Sequence, residues 1–96
     1  MQARHPIADL MDVLGRRWTL RVLWDLRDGP RRFKDLQAEE ISTSVLTQRL
    51  RELEEAGIVE RRDDGYALTP RGEELRDVLM PLNDWAKRWA RSTRRA

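Results

Sequence analysis

The run from Ser42 to Pro70 constrains this chain more than any other stretch, because it spells out a helix, both of its ends and a following hairpin without a break. Ser42 suits the N-cap position, where a hydroxyl accepts from the free amides of a first helical turn. Leu46, Leu50 and Leu53 then mark one buried face, and the helix runs on to Ala56. Gly57 follows where a left-handed residue most often closes a helix. Ile58 and Val59 are β-branched and favour an extended strand. Asp63-Asp64-Gly65 is a turn signal between residues 59–62 and 66–68, which predicts a very short β-hairpin. Thr69-Pro70 reads as an N-cap with proline at the first helical position, so a further helix opens there.

The flanking residues supply more helices. Pro6 suits a first turn, and Ile7, Leu10, Met11 and Leu14 recur at helical spacing until Gly15 interrupts them. Trp18, Val22, Leu23 and Leu26 continue that period over residues 18–26, and Asp28-Gly29-Pro30 ends it. Phe33 and Leu36 predict a short third helix reaching about Ala38. Beyond Pro70, Leu75, Val78, Leu82, Trp85 and Trp89 follow at spacings of three and four, the seam of a helix that packs on another helix. Pro81 falls inside that stripe and should kink or break it, since it removes a backbone donor. The predicted order is four helices, a hairpin and two helices, all within one domain of 96 residues.

Composition narrows the chemistry. The chain has no cysteine and one histidine, His5, so disulfides, thiolate metal sites and thiol catalysis are excluded. A metal or catalytic role for His5 lacks the partners it would need. No apolar run approaches the roughly 20 residues of a membrane span, so a cytoplasmic protein without membrane contact is expected. The net charge of +2 conceals a pattern. Residues 16–62 carry eleven basic and nine acidic groups, residues 63–84 sum to −4, and residues 85–96 sum to +5.

A short helix, a turn, a capped helix and then a hairpin is the order of a winged helix-turn-helix, whose second helix enters the DNA major groove. At 100° per residue from Leu46, the side chains of Ser44, Gln48, Arg51 and Glu55 point away from the core, with Thr47 and Glu52 on the flanks. The N-terminal half of this face offers Thr43, Ser44, Thr47, Gln48 and Arg51, all able to bond base edges or phosphates. Its acids, Glu52, Glu54 and Glu55, cluster at the far end as a solvated face, with Arg51 and Glu55 in helical pairing range. The free amides at the helix start favour a phosphate there as well. Arg16 and Arg17 before the second helix, Arg31 and Arg32 before the third, and Arg61 and Arg62 on the hairpin are candidate phosphate contacts. Arg49 lies about 60° from the core direction, where an internal salt bridge and a phosphate contact are equally open.

Four blocks carry a family resemblance: Gly15-Arg16-Arg17-Trp18-Thr19-Leu20, Gly29-Pro30-Arg31-Arg32-Phe33, the run from Leu46-Thr47-Gln48-Arg49-Leu50 to Ala56-Gly57-Ile58-Val59, and Tyr66-Ala67-Leu68-Thr69-Pro70-Arg71-Gly72. Together they resemble the HxlR family of bacterial winged-helix regulators, relatives of the MarR group, over about residues 5–90. The resemblance implies a homodimer on a palindromic operator, joined through its first and last helices. Ile7, Leu10, Met11, Leu75, Val78, Leu82, Trp85 and Trp89 are the candidate interface. It also implies a helix-turn-helix over about residues 31–57, a wing over about 58–68 and dimerisation helices over about 70–91. Three features depart from the family. His5 stands where many members have a cysteine, so thiol sensing does not transfer. The wing is short with an acidic tip, which minor-groove phosphates would repel. The tail from Arg88 to Arg95 is unusually basic.

The expected function is therefore sequence-specific DNA binding in transcription control, without enzymatic activity or a cofactor. The partners are duplex DNA and a second copy, with a small-molecule effector left open because the tryptophans could line a pocket as readily as a seam. A winged-helix module that binds protein instead of DNA is the alternative, motivated by the acidic wing.

Overall fold

The structure is a computed structural model that describes residues 5–94. Its elements are α1 (Pro6–Leu14), α2 (Thr19–Asp25), α3 (Phe33–Leu36), α4 (Thr43–Glu55), β1 (Val59–Arg62), β2 (Gly65–Leu68), α5 (Pro70–Leu79) and α6 (Pro81–Arg94). The order is the one the apolar periods predict. Residue 95, the end of the predicted basic tail, lies outside the described residues. Among those described, no helix is long and apolar enough to cross a membrane.

The core gathers Val22, Leu23 and Leu26 from α2, Leu36 from α3, Leu46, Leu50 and Leu53 from α4, and Ile58, Val59 and Leu68 from the hairpin region. Each of the three α4 leucines is essentially inaccessible, and burying such a side chain stabilises by roughly 1.5–3 kcal/mol. That burial fixes the rotation of α4, and with it the direction of its polar face. Ser42 caps the helix as expected, its hydroxyl accepting from the Val45 amide at 3.1 Å.

Two boundaries differ from the sequence reading. Trp18 is not helical: it stands at the N-cap of α2 with φ 78°, a left-handed backbone that a bulky side chain rarely adopts. The third helix stops at Leu36 rather than near Ala38, because Gln37 turns extended and its side-chain amide donates to the Ile41 carbonyl, folding buried Ile41 back into the core. As the position of Pro81 predicts, the long apolar stripe breaks into two helices at Met80. Pro81 has no amide to continue the ladder, and Met80 closes α5 by donating to the Arg76 carbonyl at 2.8 Å.

β1 and β2 pair antiparallel from Val59–Leu68 to Arg62–Gly65, so Asp63 and Asp64 alone form the tip of the wing. Arg31 extends this sheet by one bridge, exchanging backbone hydrogen bonds with Tyr66 at 2.9 and 2.8 Å. The base of the wing is joined to α5 by Thr69. Its hydroxyl donates to the Gly57 carbonyl at 2.6 Å and accepts from the Gly72 amide at 3.0 Å, capping α5 on the closing residue of α4. Gly72 permits this approach, since a Cβ there would lie well inside contact distance of the Ile58 carbonyl oxygen.

Candidate nucleic-acid interface

The face of α4 turned away from the leucines begins with Thr43 and Ser44 and continues through Thr47, Gln48 and Arg51, all exposed. The Thr47 hydroxyl donates to the Thr43 carbonyl at 2.8 Å, and the Ser42 and Ser44 hydroxyls stand 3.3 Å apart. These bonds order the first two turns while leaving their polar edge open to solvent. Arg51 makes no ion pair among the described residues, and the pairing with Glu55 expected from the helical spacing does not form.

Glu52 and Arg49 organise the flank of the helix. Arg49 donates from Nη1 to both Glu52 oxygens, at 2.8 and 3.0 Å, and from Nε to the Arg17 carbonyl at 2.9 Å. Gln48 Nε2 donates to Glu52 Oε2 at 3.1 Å, and Arg16 stands 3.7 Å from the same oxygen. Glu52 is therefore half-buried and fully engaged, not part of a solvated acidic face. Burial works against its ionisation, but hydrogen bonds from Gln48 and Arg49, with the charges of Arg49 and Arg16, outweigh it and hold the carboxyl below its ordinary pKa.

Of the two readings of Arg49, the internal salt bridge forms, with Glu52. Its interactions join α4 to the turn that carries Arg16 and Arg17, bringing two sets of candidate contacts onto one side of the molecule. The same turn carries the left-handed backbone of Trp18, whose ring the Arg17 guanidinium overlies at 5.0 Å. The spacing of Gln48, Arg49 and Glu52 at three and four residues was the available sequence signal for this cluster.

On the other flank, Arg31 and Arg32 precede α3, and the Arg31–Tyr66 bridge ties them to the wing. The Arg61 guanidinium donates to the Tyr66 hydroxyl at 2.7 Å, whereas Arg62 pairs with Glu60 at 2.7 Å. All four arginines are exposed, as are the tip residues Asp63 and Asp64. Away from this side, Ile7, Met11, Val78, Leu82, Trp85 and Trp89 are each more than half exposed, while Leu10 and Leu75 are partly covered. Trp85 and Trp89 stack with centroids 6.1 Å apart. A half-open apolar groove of about 250 Å³ lies between α2, α5 and α6, walled by Leu20, Trp24, Leu79 and Leu82 among others.

A capped helix with an open polar edge, set in a helix-turn-helix and followed by a two-stranded wing, defines the winged helix-turn-helix DNA-binding regulators. Within that class, the chain belongs to the HxlR-like helix-turn-helix family, whose model matches residues 13–94. It is 34% identical over 89 residues to the uncharacterised HTH-type transcriptional regulator YvaP of Bacillus subtilis, covering 82% of either chain. Among solved structures, the quinone-bound YodB of B. subtilis superposes with a TM-score of 0.78 at 36% identity, covering 86% of this chain and 97% of that one. A possible HxlR family transcriptional factor from Thermoplasma volcanium superposes with a TM-score of 0.76 at 31% identity, covering 85% of this chain and 82% of the other. These relatives are regulators, not enzymes, and the chain is a DNA-binding transcriptional regulator of their kind.

Proposed function

We propose that this regulator acts as a homodimer on a palindromic operator, each copy placing the N-terminal half of α4 in the major groove. The observation that carries this is the open edge of Thr43, Ser44, Thr47, Gln48 and Arg51, aimed outward by three buried leucines on the opposite face. Gln48 and Ser44 read bases, since side-chain amides and hydroxyls match the donor and acceptor pattern of the groove. Arg16, Arg17, Arg31 and Arg32 bind phosphates on either side. Arg61 and Arg62 do so from the base of the wing, whose acidic tip stays clear of the DNA.

The dimer forms through α1 and α6, where the exposed apolar side chains would otherwise face water. Residues 31–57 serve as the helix-turn-helix, 58–68 as the wing and 70–91 as the dimerisation helices of a single cytoplasmic domain. Two reading helices then lie about one helical turn apart, roughly 34 Å. YodB has been solved with a quinone bound, but this chain has no cysteine to meet such a compound with a thiol. An apolar effector would have to bind without one, and the groove beside Trp24 offers the space.

Selection of bound sites from random duplex DNA tests binding, symmetry and half-site spacing together. The expected result is an inverted repeat whose affinity falls with salt at a slope near −7, for about eight neutralised phosphates per dimer. Gln48→Ala combined with Arg51→Ala should abolish selection while leaving the dimer intact. Absence of any salt-dependent affinity for duplex DNA would favour the protein-binding module instead.

A further inference from the structure

We propose that Glu52 is a specificity-determining residue: by holding the Gln48 amide nitrogen, it turns the Gln48 carbonyl oxygen toward the groove and so selects adenine over guanine at the contacted base. The inference rests on α4 being the reading helix and adds the identity of one base that it reads.

The chemistry follows from donors and acceptors. An ionised carboxylate only accepts, so the atom of Gln48 that faces Glu52 Oε2 at 3.1 Å has to be Nε2. Oε1, which only accepts, then takes the other side of the amide, and no protein donor meets it among the described residues. In the major groove adenine N6 and cytosine N4 are donors, whereas guanine O6 and thymine O4 are acceptors. A carbonyl oxygen held outward therefore pairs with adenine or cytosine and is repelled by guanine and thymine. Nε2 keeps a second hydrogen, which can reach adenine N7 beside N6, so adenine takes two bonds and cytosine one.

Glu52 cannot swing away from this task easily. Both of its oxygens are gripped by Arg49, which is anchored in turn on the Arg17 carbonyl, and Arg16 adds a second positive charge. A glutamine without such a neighbour can rotate its amide and present either atom. Here one orientation is set before the DNA arrives, so the choice of base does not wait on the complex. Glu52 touches no base; it acts through Gln48 and is a positioning residue for recognition.

The test uses the full chain and duplexes chosen by the selection described above. The base contacted by Gln48 is the position whose preference disappears in Gln48→Ala. At that position the wild type should bind adenine at least about tenfold tighter than guanine. Glu52→Gln replaces the acceptor with a group that both donates and accepts, allowing the Gln48 amide to flip. The adenine preference should fall to within about threefold, while affinity for duplexes in general holds or rises because a negative charge is gone. Loss of discrimination without loss of affinity is a readout that simple loosening of the helix would not produce. Glu52→Ala serves as a second variant, with the same expectation, should Glu52→Gln lose helical signal. Three outcomes overturn the inference: an unchanged adenine preference in the Glu52 variants, a wild-type preference for guanine at that position, or no position at which Gln48→Ala erases a preference. Failure of the wild type to bind any duplex is a different result, which overturns the reading of α4 itself.

Discussion

Arg49 on α4 and Arg17 before α2 are joined by a hydrogen bond of 2.9 Å from the Arg49 Nε to the Arg17 carbonyl oxygen, across 32 residues of sequence. The bond uses the backbone of Arg17 and leaves its guanidinium free to lie over Trp18. It ties the proposed reading helix directly to the proposed phosphate clamp. The Arg17 bond itself is exposed, whereas the Arg49–Glu52 pair beside it is partly buried and so better shielded from water than a surface ion pair.

Arg49→Ala should therefore act twice. It removes a charge-assisted bond to Glu52 and the tie to Arg17, at a cost of about 1–2 kcal/mol in stability. It also releases Arg16 and Arg17 from their fixed place beside α4, so operator affinity should fall about tenfold. Urea denaturation and fluorescence anisotropy read the two effects separately. A variant that loses stability alone would show that the turn is held by other contacts. Arg49→Lys should rescue little, because an ammonium cannot address the carboxylate and the carbonyl with separate donors of a planar fork.

The Glu52 carboxyl gives the pH dependence a sign. Its folded pKa lies below the ordinary 4.5, because the bonds from Gln48 and Arg49 overcome the burial that opposes ionisation. A depressed carboxyl contributes stability above its unfolded pKa and loses it as pH falls through the folded one. The difference in urea midpoint between wild type and Glu52→Gln should accordingly be constant from about pH 6 to 8 and shrink on acidification below about 4.5. A difference that grew on acidification would reverse the assigned shift.

The sequence exposed the frame and concealed the flank. Leu46, Leu50 and Leu53 state the helical period directly, and Ser42, Gly57 and Thr69-Pro70 announce the ends of helices by local chemistry alone. Trp18 gives no such signal, because a left-handed tryptophan is imposed by packing and runs against local preference. Glu52 was misleading for a related reason. Among Glu54 and Glu55 it reads as one more solvated acid, and only the approach of the Arg16–Arg17 turn, distant in sequence, converts it to a partly buried acceptor. The hydrogen bonds within α4 were legible from spacing; the one reaching Arg17 depends on tertiary structure.

Two glycines separate crowding from backbone strain. At Gly72 an added Cβ meets the Ile58 carbonyl, a backbone atom that can retreat only by prising α5 from the wing. Gly72→Ala should cost about 3 kcal/mol, the upper range for overpacking. At Gly57 there is open space, but φ is +76°, so Gly57→Ala should cost only about 1–2 kcal/mol from the left-handed backbone. Thermal or urea unfolding of the pair orders them. Equal penalties would mean that the α5 contact relaxes more readily than its position suggests.

The dimer is tested most sharply by charge placed on the apolar stripe of α6. Leu82 and Trp85 lie on one side of that helix with Trp89, and each is more than half exposed in a single copy. A glutamate at Leu82 or Trp85 would be driven into an apolar seam if two copies meet there, and would sit harmlessly in water if they do not. Lys87, also exposed, projects from the opposite side of the same helix and serves as the control. Leu82→Glu with Trp85→Glu should yield a monomer in sedimentation at concentrations where wild type and Lys87→Glu are dimers, with helical content preserved in all three. Because a monomer engages one half-site, its salt slope on operator DNA should fall from about −7 to about −3.5, while Lys87→Glu stays near the wild-type value. A double variant that still sediments as a dimer would move the interface away from α6. A monomer that kept the full slope would show instead that two copies are not needed to cover the operator.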